Sequence, residues 1–450
     1  MRFGLVLLIY LVGAGVSMLS MATASSLFLW NNIFQPLAFA KREGEYPVAY
    51  FVLVVLVISY FVNLFRGRFK PNFGAYFWCV TAMVAWLLIT TVASAFQRPA
   101  WEEFIRLMKY LLPLLLIYSS INSVRDIRII AGVLAGSVAL WAAQAGVHCL
   151  VSGVSTDLGI PEGQLSDRND FTAGIVGTLP ILVYFARTYD WKFKLPVRLA
   201  ILGVILLSLI AIIYSNSRGA SVGLAITLLA YIGFVSKHKI RDTLIGAVLI
   251  GGVLAVLPQS WWDRMSTIQV GTEQKEESAA QRTGLMLGAL RATGDNPIFG
   301  LGPAGWFQVL DVYGDGIHNP HSIYLKLSAE TGFPGLILFL GIMGFTFARV
   351  KKRVDTARRS GDKMSMWLGM GLVMNVIGLL AAMTFLNSPF HEYLWAWIGL
   401  CHAYAVVYRP PPAPKRTRPQ PQRGIKPRRA RSEGLPPGEA SAGGAGLLPS

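Results

Sequence analysis

The chain has 450 residues, of which 53% are hydrophobic and 14% charged, and its mean hydropathy is +0.49. Since about a quarter of the residues of a soluble domain are charged, this composition excludes an ordinary water-soluble protein and indicates an integral membrane protein. The formal net charge of +17 does not require a nucleic-acid partner, because lysine and arginine gather in the loops on one side of a membrane.

Apolar runs of about 20 residues recur along the whole chain, and each can cross a hydrocarbon core of roughly 30 Å as a helix. The sequence therefore predicts an all-α, polytopic membrane protein. The twelve predicted spans are 3–22, 46–65, 75–95, 104–121, 126–150, 170–187, 197–215, 219–235, 240–257, 333–350, 366–387 and 391–408.

The first span has a second interpretation as a signal peptide, because Ala22-Thr23-Ala24 resembles a small-residue cleavage site. Only Arg2 precedes it and eleven spans follow, so we expect it to be a membrane helix. The segment 27–39 is too short and too interrupted to span, and we expect it to lie at the membrane interface.

The basic residues predict the orientation of the spans. The loops at 66–70, 187–194, 237–241 and 349–359 are rich in lysine and arginine, and they alternate with poorly basic ones. Both termini are therefore expected on the cytoplasmic side. The Pro-rich, basic tail at 409–450 should be disordered; contact with anionic lipid is an alternative to a purely solubilising role.

These assignments divide the chain into four parts. Spans one to nine occupy 1–257, a long outer loop occupies 258–332, spans ten to twelve occupy 333–408, and the tail occupies 409–450. Loops of this length are usually functional. Residues 258–320 contain seven acidic and four basic residues, so a basic residue here is not explained by the charge bias of the topology.

A helix is predicted inside this loop. Ser278 and Gln281 form a capping-box pattern, and Gly294 followed by Pro297 ends the segment. Arg282 would then lie in the first turn, where backbone N–H groups and a guanidinium favour phosphate oxygens. A solvated or ion-paired surface arginine is the alternative. The Gly-rich segment 299–307 lacks the Lys-Ser/Thr of a phosphate loop.

Two histidines, His318 and His321, stand three residues apart at the end of the loop. Asn319-Pro320 is a helix-start pattern, with Asn as N-cap and Pro in the first turn, so His321 would lie inside the helix and His318 outside it. Tyr324 would share the face of His321. The N-terminal end of a helix keeps an imidazole neutral and able to accept a proton; capping or packing is the alternative role.

His318, Tyr324 and four further residues are candidates for sugar or lipid contacts. Arg106 and Lys109 share one face of the fourth span, although Glu102 is spaced to pair with Arg106. Arg168 and Asn169 lie at the end of the outer loop 151–169, just before the sixth span. The three cysteines, Cys79, Cys149 and Cys401, are scattered and suggest neither a disulfide framework nor a metal site.

The spacing of these motifs resembles a known family. His321-Ser322, a nine-residue spacer and then "GFPG" at 332–335 are similar to the His-Asn/Ser/Gln, nine-residue spacer, Gly-x-x-Gly pattern of the O-antigen ligase and polymerase superfamily. "SNSRGASVGL" at 215–224 and the segment around "AAQRTGLMLGALRATGDNP" extend the likeness over roughly 160–345. The combination resembles the branch of exosortase-associated O-glycosylation ligases.

The resemblance implies a GT-C-like fold in the bacterial inner membrane with its active site facing the periplasm. It implies transfer of a glycan from an undecaprenyl-pyrophosphate-linked donor to a hydroxyl of lipid A core, a protein or another glycan, with neither metal nor nucleotide as cofactor. His321 would be the base, and Arg218 and Arg282 would bind the pyrophosphate; snorkelling at a span end is the alternative for Arg218.

Two other functions remain open. An O-antigen or exopolysaccharide polymerase would use the same motifs. A transporter or lipid-linked glycan flippase belongs to a different class, and such proteins show internal repeats and charges at the membrane midplane. We find no repeat between the halves of this sequence, and its candidate residues gather at the outer face, so the pattern favours an enzyme.

Overall fold

The structure is a computed structural model that describes residues 2–40, 48–153, 158–188, 194–236, 238–255, 273–313 and 319–410. Every regular element within these ranges is helical. The prediction of an all-α, polytopic membrane protein is confirmed. The basic tail after residue 410 and the residues at 256–272 and 314–318 lie outside the described ranges, and with them lies His318.

Each of the twelve predicted spans contains a helix. The helices are α1 Arg2–Ser17, α2 Met21–Phe34, α3 Pro36–Phe39, α4 Val48–Phe65, α5 Ala75–Ala93, α6 Gln97–Ser120, α7 Val124–Ser152, α8 Arg168–Thr188, α9 Lys194–Tyr214, α10 Arg218–Ala230, α11 Lys239–Ala255, α12 Glu273–Asp295, α13 Leu310–Tyr313, α14 Ile323–Arg359, α15 Lys363–Met383 and α16 Glu392–Val407.

Eight of the described helices are long and apolar enough to cross a membrane: α4, α5, α7, α8, α9, α10 with its continuation to Val235, α14 and α15. The predicted spans in α1, α6, α11 and α16 are helical too, but α6 carries charged residues in its first half and the other three are at most 17 residues long. Large apolar side chains on the outside of the bundle, such as Phe65 and Val248, are 84% and 71% exposed, as expected of a surface that faces lipid.

Helices α15 and α16 form the centre of the bundle. All but two of the 16 residues of α16 are buried. Glycines let α15 approach its neighbours closely: a Cβ on Gly223 of α10 would lie 2.8 Å from Cβ of Ala382, and one on Gly378 would lie 2.5 Å from Oγ1 of Thr227. Close contacts between small residues are the usual means of packing helices in a membrane.

The segment 27–39, which we expect at the membrane interface, is packed against other parts of the protein. This segment begins within α2, and 11 of the 14 residues of α2 are buried. Its asparagines find partners inside the protein, because the Tyr10 hydroxyl donates to Asn31 Oδ1 (2.6 Å) and Asn32 Nδ2 donates to Glu392 Oε1 (2.9 Å). The asparagines of this segment are therefore satisfied by side chains of the protein.

The predicted outer loop contains a small folded unit. Helix α12, a 3₁₀ turn at Gly305–Gln308, α13 and the first part of α14 share an apolar cluster around the fully buried Trp306. Gly332, with φ 67° and ψ −178°, interrupts α14. We call the part before this break, residues 323–331, the arm, and the part after it continues as the tenth predicted span.

Candidate functional site

The loop that joins α15 to α16, residues 384–391, is where the candidate residues meet. The side chain of Asn387 accepts from the backbone N–H of His321, and Thr384 lies near the hydroxyl of Tyr324. Phe385 packs on Gly219, the residue after Arg218. A cavity beside Arg106 and another beside Asp170, the residue after Asn169, are also lined by residues of this loop. We call this segment the 384–391 loop; no motif in the sequence marks it as part of a site.

His321 lies before the arm and not within a helix, so the predicted helix start at Asn319-Pro320 is wrong. The arm begins at Ile323 with Ser322 as its extended N-cap. His321 has φ 50°, a left-handed conformation that is uncommon outside glycine and cannot continue a helix. Its N–H donates to Asn387 Oδ1 at 2.9 Å. A tertiary hydrogen bond, and not the first turn of a helix, therefore holds the backbone of His321.

Arg218 is the first residue of α10. The side chain of Ser217 caps the helix by accepting from Ala220 N at 3.4 Å, and Asn216 before it has φ 53°. A Cβ on Gly219 would lie 2.9 Å from the carbonyl oxygen of Ala382, so the glycine brings the helix start against the end of α15. Arg218 itself is exposed, and within the described ranges no carboxylate forms an ion pair with it.

Two non-glycine residues in left-handed backbone therefore belong to the two motif segments, Asn216 two residues before Arg218 and His321 at the arm. Residues held in such conformations cluster at functional sites, where the surrounding structure over-determines them. Here the surroundings are the end of α15 and the 384–391 loop for both segments.

Arg282 does not lie in the first turn of its helix. Helix α12 begins at Glu273, five residues before the predicted cap, so Arg282 is in the third turn. Three Glu residues and one Gln within 273–277 favour helix and extend it past the capping pattern. The structure describes the backbone of Arg282 but not its side chain. The predicted anion site at a helix start is therefore not available to this residue.

The register between α12 and the arm nevertheless indicates where Arg282 lies. Thr293 Oγ1 is 3.0 Å from Ser328 Oγ, and the carbonyl of Pro297 accepts from Phe333 N at 2.9 Å. Both pairs share nearly the same offset along the chain, so α12 and the arm run in the same direction. At that offset the start of the arm at Ile323 is level with residues 287–288 of α12, and Arg282 lies further toward the start of α12.

The structure explains why "GFPG" begins with a glycine. At Gly332 the backbone has positive φ, and a Cβ would clash with the carbonyl of Ile298. Gly300 and Gly302 also have positive φ, and the end of the arm packs against this turn. Two backbone hydrogen bonds join them: Leu301 N donates to Ala329 O (2.8 Å), and Gly302 N donates to Glu330 O (2.9 Å). The motif thus joins the arm to the Gly-rich segment and fixes where the arm ends.

The predicted pairing of Arg106 with Glu102 is wrong. Arg106 pairs with Glu103, with Nε 2.7 Å from Oε2, while Glu102 pairs with Arg98 at 2.9 Å. Glu103 is three residues before Arg106, so the two side chains lie on the same face of α6, and Glu103 is the more buried of the two. The exposed Lys109 has no such partner among the described residues.

A small polar cavity lies beside Arg106. Its lining includes Glu103, Arg106, Lys326 and Glu330 together with residues 388–390 of the 384–391 loop. Lys326 Nζ is 4.0 Å from Glu330 Oε1, and both side chains are largely buried. Two cations and two carboxylates therefore balance one another here, which favours a structural role for this group over direct binding of an anion.

Arg168 and Asn169 begin α8. Both are at its exposed end, and Asn169 N donates to Asp167 Oδ1 at 2.7 Å. The next residue, Asp170, turns inward and shares a small cavity with Leu386 and His391, so the start of α8 also reaches the 384–391 loop. Tyr324 is in the first turn of the arm, with its ring 6.3 Å from that of Phe339.

A buried polar layer lies beneath the site. His391 Nε2 is 2.9 Å from the carbonyl oxygen of Gln164, and the Gln164 side chain accepts from Glu392 N. Glu392, only 5% exposed, also accepts from Asn32. The signal in the sequence is "NSPFHE", a polar hexapeptide between two apolar runs, but nothing in its spacing reveals these distant partners.

The outer unit holds one further titratable pair. The Tyr313 hydroxyl donates to Asp295 Oδ2 at 2.7 Å, and this hydrogen bond raises the pKa of Tyr313. Among the described residues no group of three His, Cys, Asp or Glu side chains is arranged to hold a metal ion. The chemistry available at the 384–391 loop is that of an imidazole, exposed guanidinium groups and hydroxyls.

The fold and the site together define a class: this is an all-α membrane protein in which a histidine segment and an arginine segment converge on one interhelical loop. Residues 202–340 match the family model described as O-antigen ligase. This part of the chain is therefore similar to the O-antigen ligase domain, in agreement with the resemblance that the motifs at Arg218, Arg282 and His321 indicate. No curated protein matches the chain.

The matched region contains Arg218, Arg282 and His321 and ends after the "GFPG" motif. The match supports a function in glycan transfer during the synthesis of O-antigen or lipopolysaccharide. The family's substrates in general are a lipid-linked glycan and an acceptor. Arg106, Lys109, Arg168, Asn169 and Asn387 lie outside the matched residues.

Proposed function

We propose that this protein transfers a glycan from an undecaprenyl-pyrophosphate-linked donor to an acceptor hydroxyl at the periplasmic face of the inner membrane. The observation that carries the proposal is the convergence of the His321 and Arg218 segments on the 384–391 loop and the adjoining end of α15. Two segments about 100 residues apart in sequence are thereby attached to one rigid junction of buried helices, which supports a shared site.

In the proposed reaction the acceptor oxygen forms a bond to the anomeric carbon while the bond from that carbon to the pyrophosphate oxygen breaks. His321 takes the hydroxyl proton, and the lipid pyrophosphate leaves with the electron pair. General bases of this kind typically contribute about 10² to 10⁴ in rate. The role of His321 depends on its placement by Asn387, since no helix end supports it.

Arg218 is the proposed ligand of the pyrophosphate. An exposed guanidinium at the first turn of a helix combines the fork geometry of arginine with the unpaired N–H groups of the helix start. Arg282 is proposed as the second ligand, supported by its place in the segment that matches the O-antigen ligase model and by the packing of its helix against the arm. Arg168, Asn169 and Tyr324 are proposed contacts of the sugar or the lipid.

The charge distribution supports the proposed orientation. The 384–391 loop, the start of α8 and the start of α10 lie at one end of the bundle. The opposite helix ends carry basic residues such as Arg66, Arg187 and Arg353. Because basic residues collect on the cytoplasmic side, the candidate site should face the periplasm.

Reconstitution tests the proposal directly. Purified protein in liposomes should transfer glycan from an undecaprenyl-pyrophosphate-linked donor without added metal or nucleotide, and lipid A core, a peptide with Ser and Thr, and the free glycan would be offered separately as acceptors. Transfer to lipid A core identifies a ligase, transfer to the peptide an O-linked protein glycosylation enzyme, and elongation of the glycan a polymerase. Movement of the intact donor across the bilayer without transfer would contradict the proposal and indicate a flippase.

A further inference from the structure

A second opening lies between helices α8, α9, α10, α11 and α15. It is a crevice of about 270 Å³, close to the lower end of the roughly 300–1,000 Å³ typical of ligand pockets. Its walls are almost entirely apolar; they include Leu179, Val183, Leu209, Leu228, Ile245 and Met374. A long, narrow hydrocarbon chain suits such walls because it leaves no polar group unsatisfied.

This crevice lies far from the candidate site. Arg168 and Arg187 stand at opposite ends of α8, and 19 residues at 1.5 Å each separate them by about 28 Å. That distance is close to the roughly 30 Å thickness of a hydrocarbon core. The crevice is lined by the half of α8 that ends at Arg187, so it opens toward the leaflet opposite the candidate site.

A cation stands at the polar end of the crevice. Arg187 is exposed, its guanidinium carbon lies 4.8 Å from the centroid of the Trp367 ring, and it lies near the hydroxyl of Tyr231. Asp242 lines the same end but is engaged by Arg241, with Nη2 2.8 Å from Oδ1. Within the described ranges no carboxylate forms an ion pair with Arg187.

Two local features keep the crevice open. Helix α10 continues into a π-helical turn at Tyr231–Val235, and both end residues of that turn line the crevice. Such turns add a residue to the helix and are frequent at functional sites. On the facing helix, Gly246 presents no side chain, and a Cβ there would lie 3.5 Å from Leu228, so a larger residue would enter the space.

We propose that this crevice binds one acyl chain of an anionic glycerophospholipid, with the phosphate of the headgroup held by Arg187. The charge at the mouth matches an anionic headgroup, and basic pockets between membrane helices bind such lipids. A lipid-linked glycan donor would need its pyrophosphate at the other end of the bundle. The lipid site is therefore separate from the proposed transfer site and does not depend on it.

Native mass spectrometry of the detergent-purified full chain tests this site. We expect retention of one phosphatidylglycerol in preference to phosphatidylcholine with the same acyl chains. Arg187→Gln should weaken phosphatidylglycerol binding about fivefold, since one basic residue near a lipid surface is worth about 1 kcal/mol. Gly246→Phe should abolish it by filling the crevice. Arg66→Gln, at a different exposed arginine on the same side of the bundle, should bind like the wild type.

The melting temperature of each variant shows whether it is folded, and Leu228→Trp fills the crevice from α10 if Gly246→Phe does not fold. Equal retention of phosphatidylcholine and phosphatidylglycerol would overturn the proposal. So would undiminished binding by a folded crevice-filling variant, which would indicate lipid on the outer surface only. Displacement of phosphatidylglycerol by undecaprenyl phosphate at lower concentration would assign the crevice to the donor lipid instead.

Discussion

The backbone N–H of His321 donates a hydrogen bond to Oδ1 of Asn387, at a distance of 2.9 Å. Asn387 is 66 residues further along the chain and lies outside the region that matches the O-antigen ligase family. This contact connects the start of the arm to the loop between α15 and α16, the two helices at the centre of the bundle. It fixes a histidine whose backbone is in a left-handed conformation that local sequence does not favour.

Asn387→Ala should therefore lower kcat with less effect on KM for the donor. Displacement of a catalytic group by about 1 Å can cost on the order of 10² in rate, so we expect a loss between tenfold and that value. Steady-state transfer by reconstituted protein provides the measurement. Asn122→Ala is the matched control, because Asn122 makes a local bond to Ser120 at the other end of the bundle. Unchanged kcat in Asn387→Ala would show that this contact does not position the base.

His321→Ala should abolish transfer, with a loss of about 10² to 10⁴ in rate, whereas His318→Ala should leave much of the activity. His321 has the family's spacing to "GFPG", which His318 lacks, and its backbone is anchored to Asn387. Replacement of a half-buried imidazole outside a helix should cost only about 1 kcal/mol in stability. Both variants should thus reach the membrane at normal levels, as measured by immunoblotting. Near-normal turnover by His321→Ala would remove the assignment of the base.

The sequence predicted the helices well because runs of apolar residues report directly on burial in lipid; all twelve predicted spans are helical. It predicted the starts of the two outer helices poorly. The cap at Ser278 was overridden by five helix-favouring residues before it, and the pattern at Asn319-Pro320 was overridden by the bond from His321 to Asn387. Capping patterns describe local preference, and a single tertiary contact is enough to exceed it.

The members of the candidate site were also predictable to different degrees. Arg218 and His321 were found because each stands next to a distinctive motif, and the structure attaches both segments to the end of α15 and its loop. Asn387 was missed because its partner is distant in sequence. The arginine at 106 was paired with the wrong glutamate, since Glu102 and Glu103 both have helical spacing and only the packing of α6 decides between them.

Gly332→Ala should destabilise the protein. Gly332 has φ 67°, and a Cβ there would clash with the carbonyl of Ile298. A left-handed conformation alone costs an alanine about 1–2 kcal/mol, and the clash adds to it. Gly341→Ala in the same helix is the control, because a Cβ on Gly341 meets nothing within 4 Å. Thermal unfolding in detergent should show a lower midpoint for the first variant and an unchanged or higher one for the second.

Arg282→Lys should not restore the activity lost in Arg282→Ala. If Arg282 binds the pyrophosphate, an ammonium cannot supply the planar fork of the guanidinium. Arg291→Lys is a matched control, because Arg291 lies nine residues further along α12 and therefore on its opposite face, where it is exposed. Transfer should fall in the Arg282 variants through a higher KM for the donor and a lower kcat. Full activity of Arg282→Lys would show that it is only a surface charge.

The same comparison applies at Arg218, where the geometry is better defined. Arg218→Lys should lose most of its transfer activity, while Arg198→Lys, an exposed arginine on the neighbouring helix α9 at the other end of the bundle, should keep it. Membrane levels of the two variants should be equal. Full activity of Arg218→Lys at equal expression would instead support a snorkelling role at the end of the span.

The proposed orientation predicts that the outer unit, residues 273–313, lies in the periplasm and that the chain after Tyr408 lies in the cytoplasm. The physical reason is the excess of lysine and arginine at the helix ends opposite the 384–391 loop. Paired fusions measure it: alkaline phosphatase should be active after Tyr313 and inactive after Tyr408, while green fluorescent protein should show the reverse.

Two single-cysteine variants of a cysteine-free protein, one at exposed Arg291 and one at exposed Arg359, test the orientation in the intact protein. A membrane-impermeant thiol reagent applied to whole cells with a permeable outer membrane should label position 291 but not position 359. Labelling of position 359 alone would invert the topology and place the proposed site on the cytoplasmic face, where a periplasmic acceptor could not reach it.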